Sequence, residues 1–139
     1  MITHLLDTNI VSYAIRPQNG RLAARLADAM RDESVAISAV TRAEMRTGQM
    51  RMATNDKRLV SIDQMLQLLP ALDWTSICAD LYGRIHSFLA TTGQPISICD
   101  VQIAAHALAE NLTLVTHTTR RFERIERLRL EDWTGLESL

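Results

Sequence analysis

Apolar residues along this chain follow two alternating rhythms. Short apolar runs at 2–6 (ITHLL), 34–38 (SVAIS) and 112–116 (LTLVT) have the length of buried strands. Longer stretches between them place apolar residues three and four apart, the spacing of one helical face. NIVSYAI (9–15) and GRLAARLADAMRD (20–32) read this way, the second through Leu22, Leu26 and Met30. AVTRAEMRTGQM (39–50) continues the pattern. A further helix, capped by Thr54 or Asn55, is expected to carry Leu59, Ile62, Leu66 and Leu69 on one face and to stop at Pro70. SICADLYGRIHSFLA (76–90) repeats the pattern through Ile77, Leu81, Ile85 and Leu89, and TTGQP follows as a loop. ICDVQIAAHALAE (98–110) is apolar almost all round, which predicts a central helix. ALDW (71–74) and RLRLEDW (127–133) supply two weaker strands.

Strands separated by helices predict an α/β fold, a parallel sheet covered on both faces. In such sheets functional groups gather beyond the carboxyl ends of the strands. No repeat, low-complexity tract or linker interrupts the pattern, and 139 residues suit one domain over 1–139. A hydrophobic content of 47% argues against disorder, and with 4% aromatics the core must be mostly aliphatic. No stretch approaches the roughly 20 apolar residues of a membrane span, and the first residues lack a signal-peptide pattern. Cys78 and Cys99 form neither a CxxC pair nor a disulfide framework, so a reducing cytoplasm is expected.

Chemistry enters at HLLDTNI (4–10), where an acid, a hydroxyl and an amide interrupt two segments that both favour burial. Asp7 follows the first strand, Glu44 lies early in the helix after the second, and Asp100 begins the central helix. Each has an ordinary structural explanation. Asp7 suits a helix N-cap, and Thr41–Glu44 and Ser97–Asp100 each match a capping box. Yet all three sit on apolar surroundings, and the topology brings them to one edge of the sheet. Two like charges about 4 Å apart repel by roughly 4 kcal/mol at an effective dielectric of 20. A divalent cation removes that cost, and an all-carboxylate set suits Mg²⁺ or Mn²⁺ rather than zinc. Such a site suits phosphodiester hydrolysis.

Net charge is −1, yet 14 of the 15 basic residues are arginine, five of them between Arg120 and Arg129. Guanidinium forks suit phosphate; the bland alternative is a solvated face interleaved with Glu123, Glu126 and Glu131. His106, in an Ala-rich helix, reads as a satisfied core histidine, and Cys99 as a packing residue without a neighbouring base. Met50 and Met52 with Leu66 and Leu69 read as core, or as part of a groove for a partner helix if their hairpin is exposed.

HLLDTNI, SAVTRAEMRTG and GQPISICDVQIAAHALAENLTLVTHTTRRFERIERLRLEDW together resemble the PIN-domain ribonucleases, specifically the VapC toxins of VapBC toxin–antitoxin pairs. The likeness runs from residue 4 to residue 133. It implies a three-layer α/β/α sandwich with a central parallel sheet, and an Mg²⁺- or Mn²⁺-dependent endoribonuclease. It further implies RNA as substrate, often tRNA, a VapB antitoxin and a homodimer. Asp7, Glu44 and Asp100 match the family's metal-binding acids, with Glu44 binding the ion or positioning water. Asn9 matches the polar position two after the first acid. Thr116 keeps the hydroxyl that ends the strand, but His117-Thr118 stands where many members carry Asn or Asp. Arg120 and Arg121 would grip the RNA backbone.

Two rivals stand beside this reading. A phosphatase with a strand-end Asp nucleophile normally needs a second Asp two residues on, where Asn9 stands. A member that binds antitoxin and RNA without cutting is motivated by His117-Thr118.

Overall fold

Leu5 and Leu6 are neighbours on one strand, point to opposite faces of the sheet and are both fully buried. That pair sets the architecture: both faces of the sheet are covered, as in parallel sheets generally. The computed structural model describes residues 1–16 and 20–135. In chain order the elements are β1 (His4–Leu6), α1 (Thr8–Ile15), α2 (Gly20–Arg31), β2 (Val35–Ser38), α3 (Ala39–Met50), α4 (Arg58–Leu68) and β3 (Ala71–Leu72). There follow α5 (Ser76–Thr91), α6 (Ile98–Ala109), β4 (Thr113–Val115), α7 (Thr119–Phe122) and β5 (Leu130–Glu131). The strands lie in the order β3-β2-β1-β4-β5, and every pairing is parallel. The register aligns Leu6 with Ile37 on one side and with Val115 on the other.

Those three residues face one core layer, completed by Ile10 and Val11 of α1, Leu22 and Leu26 of α2, Met45 of α3, and Ile62 and Leu66 of α4. Leu5 and Leu114 face the other layer, completed by Ile85 and Leu89 of α5, by α6, and by Phe122 of α7. The expected α/β/α sandwich with a central parallel sheet is what the chain forms. α6 is the central helix: Val101, Ile103, Ala104, Ala105, His106 and Ala107 are all buried. Among the described residues no helix is long and apolar enough to cross a membrane.

Several local expectations need correction. The edge strands are shorter than the patterns at 71–74 and 127–133: two residues each. Each has a neighbour on one side only, so pairing ends where the chain turns away. Neither Thr54 nor Asn55 caps α4. The chain enters through a turn in which the Asp56 carboxylate accepts from the Arg58 N–H at 2.9 Å, and Lys57, at the cap position, makes no side-chain cap bond. Thr41 is not the start of a capping box: α3 begins earlier, with Ser38 accepting from the Val40 N–H at 3.1 Å. On α5 the buried stripe runs through Cys78, Ile85 and Leu89, and Ile77 is 63% exposed. Met50 is 86% exposed rather than core, whereas Met52 packs against the first layer.

α7 was not foreseen, because one turn of four residues is too short to show a period. Phe122 holds it: its ring is fully buried in the second layer. Phe122→Ala is expected to cost about 3–5 kcal/mol of stability, the usual range for emptying an aromatic core site. Urea unfolding checks this, and a loss under 1 kcal/mol would contradict the anchoring role.

Candidate active site

β1 delivers Asp7 to the carboxyl edge of the sheet, where its own N–H bonds Val115 O at 3.0 Å. There it also caps α1, its Oδ1 accepting from the Ile10 N–H at 2.8 Å. The cap reading and the site reading are therefore both true of one carboxylate. Asp7 is 2% exposed. Burial pushes its pKa up from 3.8 to about 6, against hydrogen bonds from Thr116 and Ile10 that favour the charge. The charge of Asp100 adds to the rise and that of Arg121 opposes it. Asp7, Asp100 and Arg121 thus share one electrostatic neighbourhood.

Thr116, fully buried at the end of β4, is oriented from behind. Its Oγ1 accepts from the Thr118 N–H at 3.1 Å and lies 3.2 Å from the Thr118 hydroxyl, which leaves its own proton for Asp7. Thr118 thus backs Thr116, which in turn bonds Asp7. His117, between them, turns the other way. Its Nδ1 lies 3.1 Å from Asp132 Oδ2 and from Thr134 Oγ1, and its ring meets Tyr13 edge-on. It fastens the segment after β5 rather than facing the acids.

α3 carries Glu44 and α6 carries Asp100. The Thr8 hydroxyl, one residue after Asp7, lies 2.6 Å from Glu44 Oε1 and 3.1 Å from Thr41 Oγ1. Ser97 caps α6, its Oγ accepting from the Asp100 N–H at 3.2 Å. Asp100 Oδ2 meets Arg121 Nη1 at 2.9 Å. Cys99 lies between the acids. Its partial burial and the charges of Glu44 and Asp100 hold its thiol above the ordinary value, so it stays protonated.

Behind the site, His106 Nδ1 and Ser38 Oγ are 2.8 Å apart in the fully buried interior. Ser38 caps the helix of Glu44 and His106 rides the helix of Asp100, so this bond ties the two acid-bearing helices together. His106 is half satisfied: its Nε2 is buried without a hydrogen-bond partner among the described residues, and burial lowers its pKa.

Asn9 is exposed; it is the adjacent Thr8, passed over in the sequence, that contacts an acid. The three acids come to one region without closing on a single point: among the described residues no three acids, histidines or cysteines form a ready ion cage. Two depressions flank them. One, of about 570 Å³, is lined by Ser97, Thr118, Arg120, Arg121 and Arg124. The other, of about 440 Å³, runs along α1, α3 and α4 past Thr8, Glu44, Met45, Met52 and Ile62. Met52 thus borders a groove, but Leu66 and Leu69 are core.

The chain matches the family model "PIN domain" over residues 4–128. The chain belongs to the PIN-domain family. This PIN domain is 34% identical over 130 residues to Ribonuclease VapC2 of Rickettsia felis, covering 94% of this chain and 97% of that protein. It is 32% identical over 134 residues to the tRNA(fMet)-specific endonuclease VapC of Shigella flexneri, covering 96% and 100%. Among solved structures it matches VapBC2 from Rickettsia felis bound to a promoter DNA fragment, with a TM-score of 0.86, 32% identity and coverage of 95% and 99%.

The raised pKa of Asp7 gives the PIN domain a signed pH dependence. The folded state holds this proton more tightly than the unfolded chain does. The associated stability is fully present below about 3.8 and is lost as pH rises through about 6. Asp7→Asn keeps the helix cap and removes the buried charge. The variant is expected to be more stable at pH 7.5 by up to about 3 kcal/mol, from roughly two pKa units at 1.36 kcal/mol each. The gain should vanish near pH 4. Urea unfolding at both pH values checks it, and a gain independent of pH would contradict the assignment.

Proposed function

We propose that this PIN domain is an endoribonuclease, the toxin of a VapBC-type pair, which hydrolyses phosphodiester bonds of RNA, with tRNA as the substrate class, and so inhibits translation. The family and the named activities of its relatives support the reaction class. The observation that carries the site is Asp7: a nearly buried carboxyl, its pKa raised to about 6, beside a second acid at the carboxyl edge of the sheet.

The donor chemistry fits a hard divalent cation. The ionisable oxygens available are Asp7, Asp100 and Glu44, the nearby thiol of Cys99 is held protonated, and His106 and His117 are bonded elsewhere. Asp7 and Asp100 would hold Mg²⁺ or Mn²⁺, with Glu44 as a further ligand or the group that positions water. When bound, such an ion acidifies a coordinated water and offsets charge developing on the phosphoryl oxygens.

The chain's own residues have separable tasks. Thr8, bonded to Oε1, and Cys99 both hydrogen-bond Glu44 and so orient the carboxylate that would position an attacking water. Thr116, backed by Thr118, fixes the orientation of Asp7. Arg120 and Arg121 line a cleft beside Asp100, where guanidinium groups would grip the RNA backbone. Asn9, exposed at the same loop, would face substrate or partner rather than the acids. The groove past Glu44 along α1, α3 and α4 would receive the apolar segment of a VapB antitoxin, which would cover the site. Homodimerisation and a cytoplasmic setting complete the proposal.

Purified protein should cleave tRNA with Mg²⁺ or Mn²⁺ and stop when EDTA is added. Asp7→Ala and Asp100→Ala are each expected to lower the rate by roughly 10²-fold or more. Metal-independent cleavage, or cleavage undiminished in both variants, would overturn the assignment. Thr116→Val, which leaves every carboxylate in place, should cost about 10- to 100-fold, the usual effect of losing a group that orients a metal ligand. Gel assays of the three variants against intact tRNA separate these outcomes. Release of phosphate from a monoester with the RNA left whole would favour a phosphatase instead.

A further inference from the structure

One cation at this site belongs to the chain itself. Arg121 Nη1 sits 2.9 Å from Asp100 Oδ2, and its charge also reaches Asp7. Arg120, Arg121 and Arg124 line the same cleft, and Arg121 is the one paired with Asp100. The pair is asymmetric: the Asp100 side chain is 16% exposed and the Arg121 side chain 45%. A half-exposed guanidinium forms a weak pair and is free to swing. Its backbone is held by Phe122, so the swing is confined to the neighbourhood of the cleft.

An oxygen that accepts a hydrogen bond from a guanidinium cannot also give its full charge to a divalent ion. The ion and the guanidinium would also repel one another at this distance. The ion pair and a metal at Asp100 therefore compete for the charge of one carboxylate. We propose that Arg121 is a displaceable internal counter-ion: it neutralises Asp100 in the ion-free protein, a divalent cation displaces it, and the freed guanidinium turns into the arginine cleft to take an RNA phosphate. This rests on the reading that Asp100 helps to hold the ion. Linkage is reciprocal. A phosphate that draws Arg121 away must tighten the metal, so metal and RNA bind cooperatively through this one side chain.

Mn²⁺ titration of the full chain, followed by electron paramagnetic resonance, tests it without reference to activity. Arg121→Gln should bind Mn²⁺ about five- to tenfold more tightly than the unmodified protein, within the usual range of coupling between two sites. Arg120→Gln, which removes the same charge from the same cleft, should change the affinity less than twofold. Equal tightening by both variants, or none by Arg121→Gln, overturns the proposal. A 2′-O-methyl RNA that cannot be cut tests the second half. With Mg²⁺ present, Arg121→Gln should lower the slope of log K against log salt by about 0.7; without Mg²⁺ the two proteins should share one slope. A slope difference that persists without Mg²⁺ overturns the handover. Asp100→Asn separates the two readings. If it binds Mn²⁺ as tightly as the unmodified chain, the assignment of the ion to Asp100 fails. If it does not, and Arg121→Gln leaves the affinity unchanged, only the role of Arg121 fails.

Discussion

Asp7 must stay buried, and its charge must be tolerated there. The side chain caps α1 and is nearly sealed from water, which alone would favour the neutral acid near neutral pH. Several of its neighbours offset part of that cost, although the charge of Asp100 adds to it. Thr116 and the Ile10 N–H favour the ionised form, and the guanidinium of Arg121 supplies local positive charge. A parallel sheet makes the arrangement possible, since β1 and β4 end side by side and place Asp7 within reach of Thr116. The buried charge weakens the fold, the kind of local cost expected where a residue serves a site rather than stability.

The other acids are held to the same region largely by bonds between the elements that carry them. Ser38 caps the helix of Glu44 and meets His106 on the helix of Asp100. Packing between α3 and α6 is therefore tied down by a polar contact at full burial, where an unmade hydrogen bond is expensive. Thr8 gives a third tie, from the start of α1 to Glu44. These ties lie on the side of the site that faces the sheet. Arg121, half-exposed, lies on the side that faces solvent.

Much of the site was legible in the sequence because Asp7 ends a buried strand and Glu44 and Asp100 fall early in helices, places that a parallel fold brings to the carboxyl edge of its sheet. Asp7, Glu44 and Asp100 could be named that way, and Thr116 through the resemblance to the PIN-domain ribonucleases. Their partners could not. Thr8 reaches Glu44 across 36 positions and Arg121 reaches Asp100 across 21; neither spacing carries a local signal. His117 was ambiguous for the same reason. Only the packing of Tyr13 and the course of the chain after β5 turn its ring away from the acids. The helix cap expected at Thr54 or Asn55 failed because a turn at Asp56 supplied the bond first.

By itself the sequence determined the order of strands and helices, the doubly covered sheet and the edge at which the acids collect. Hydrophobic periodicity encodes burial, and parallel topology leaves few ways to arrange it. Only the tertiary structure decided which polar group answers which charge. Those choices depend on register between elements far apart in the chain, on the depth at which each carboxylate sits, and on a one-turn helix that no periodicity could announce.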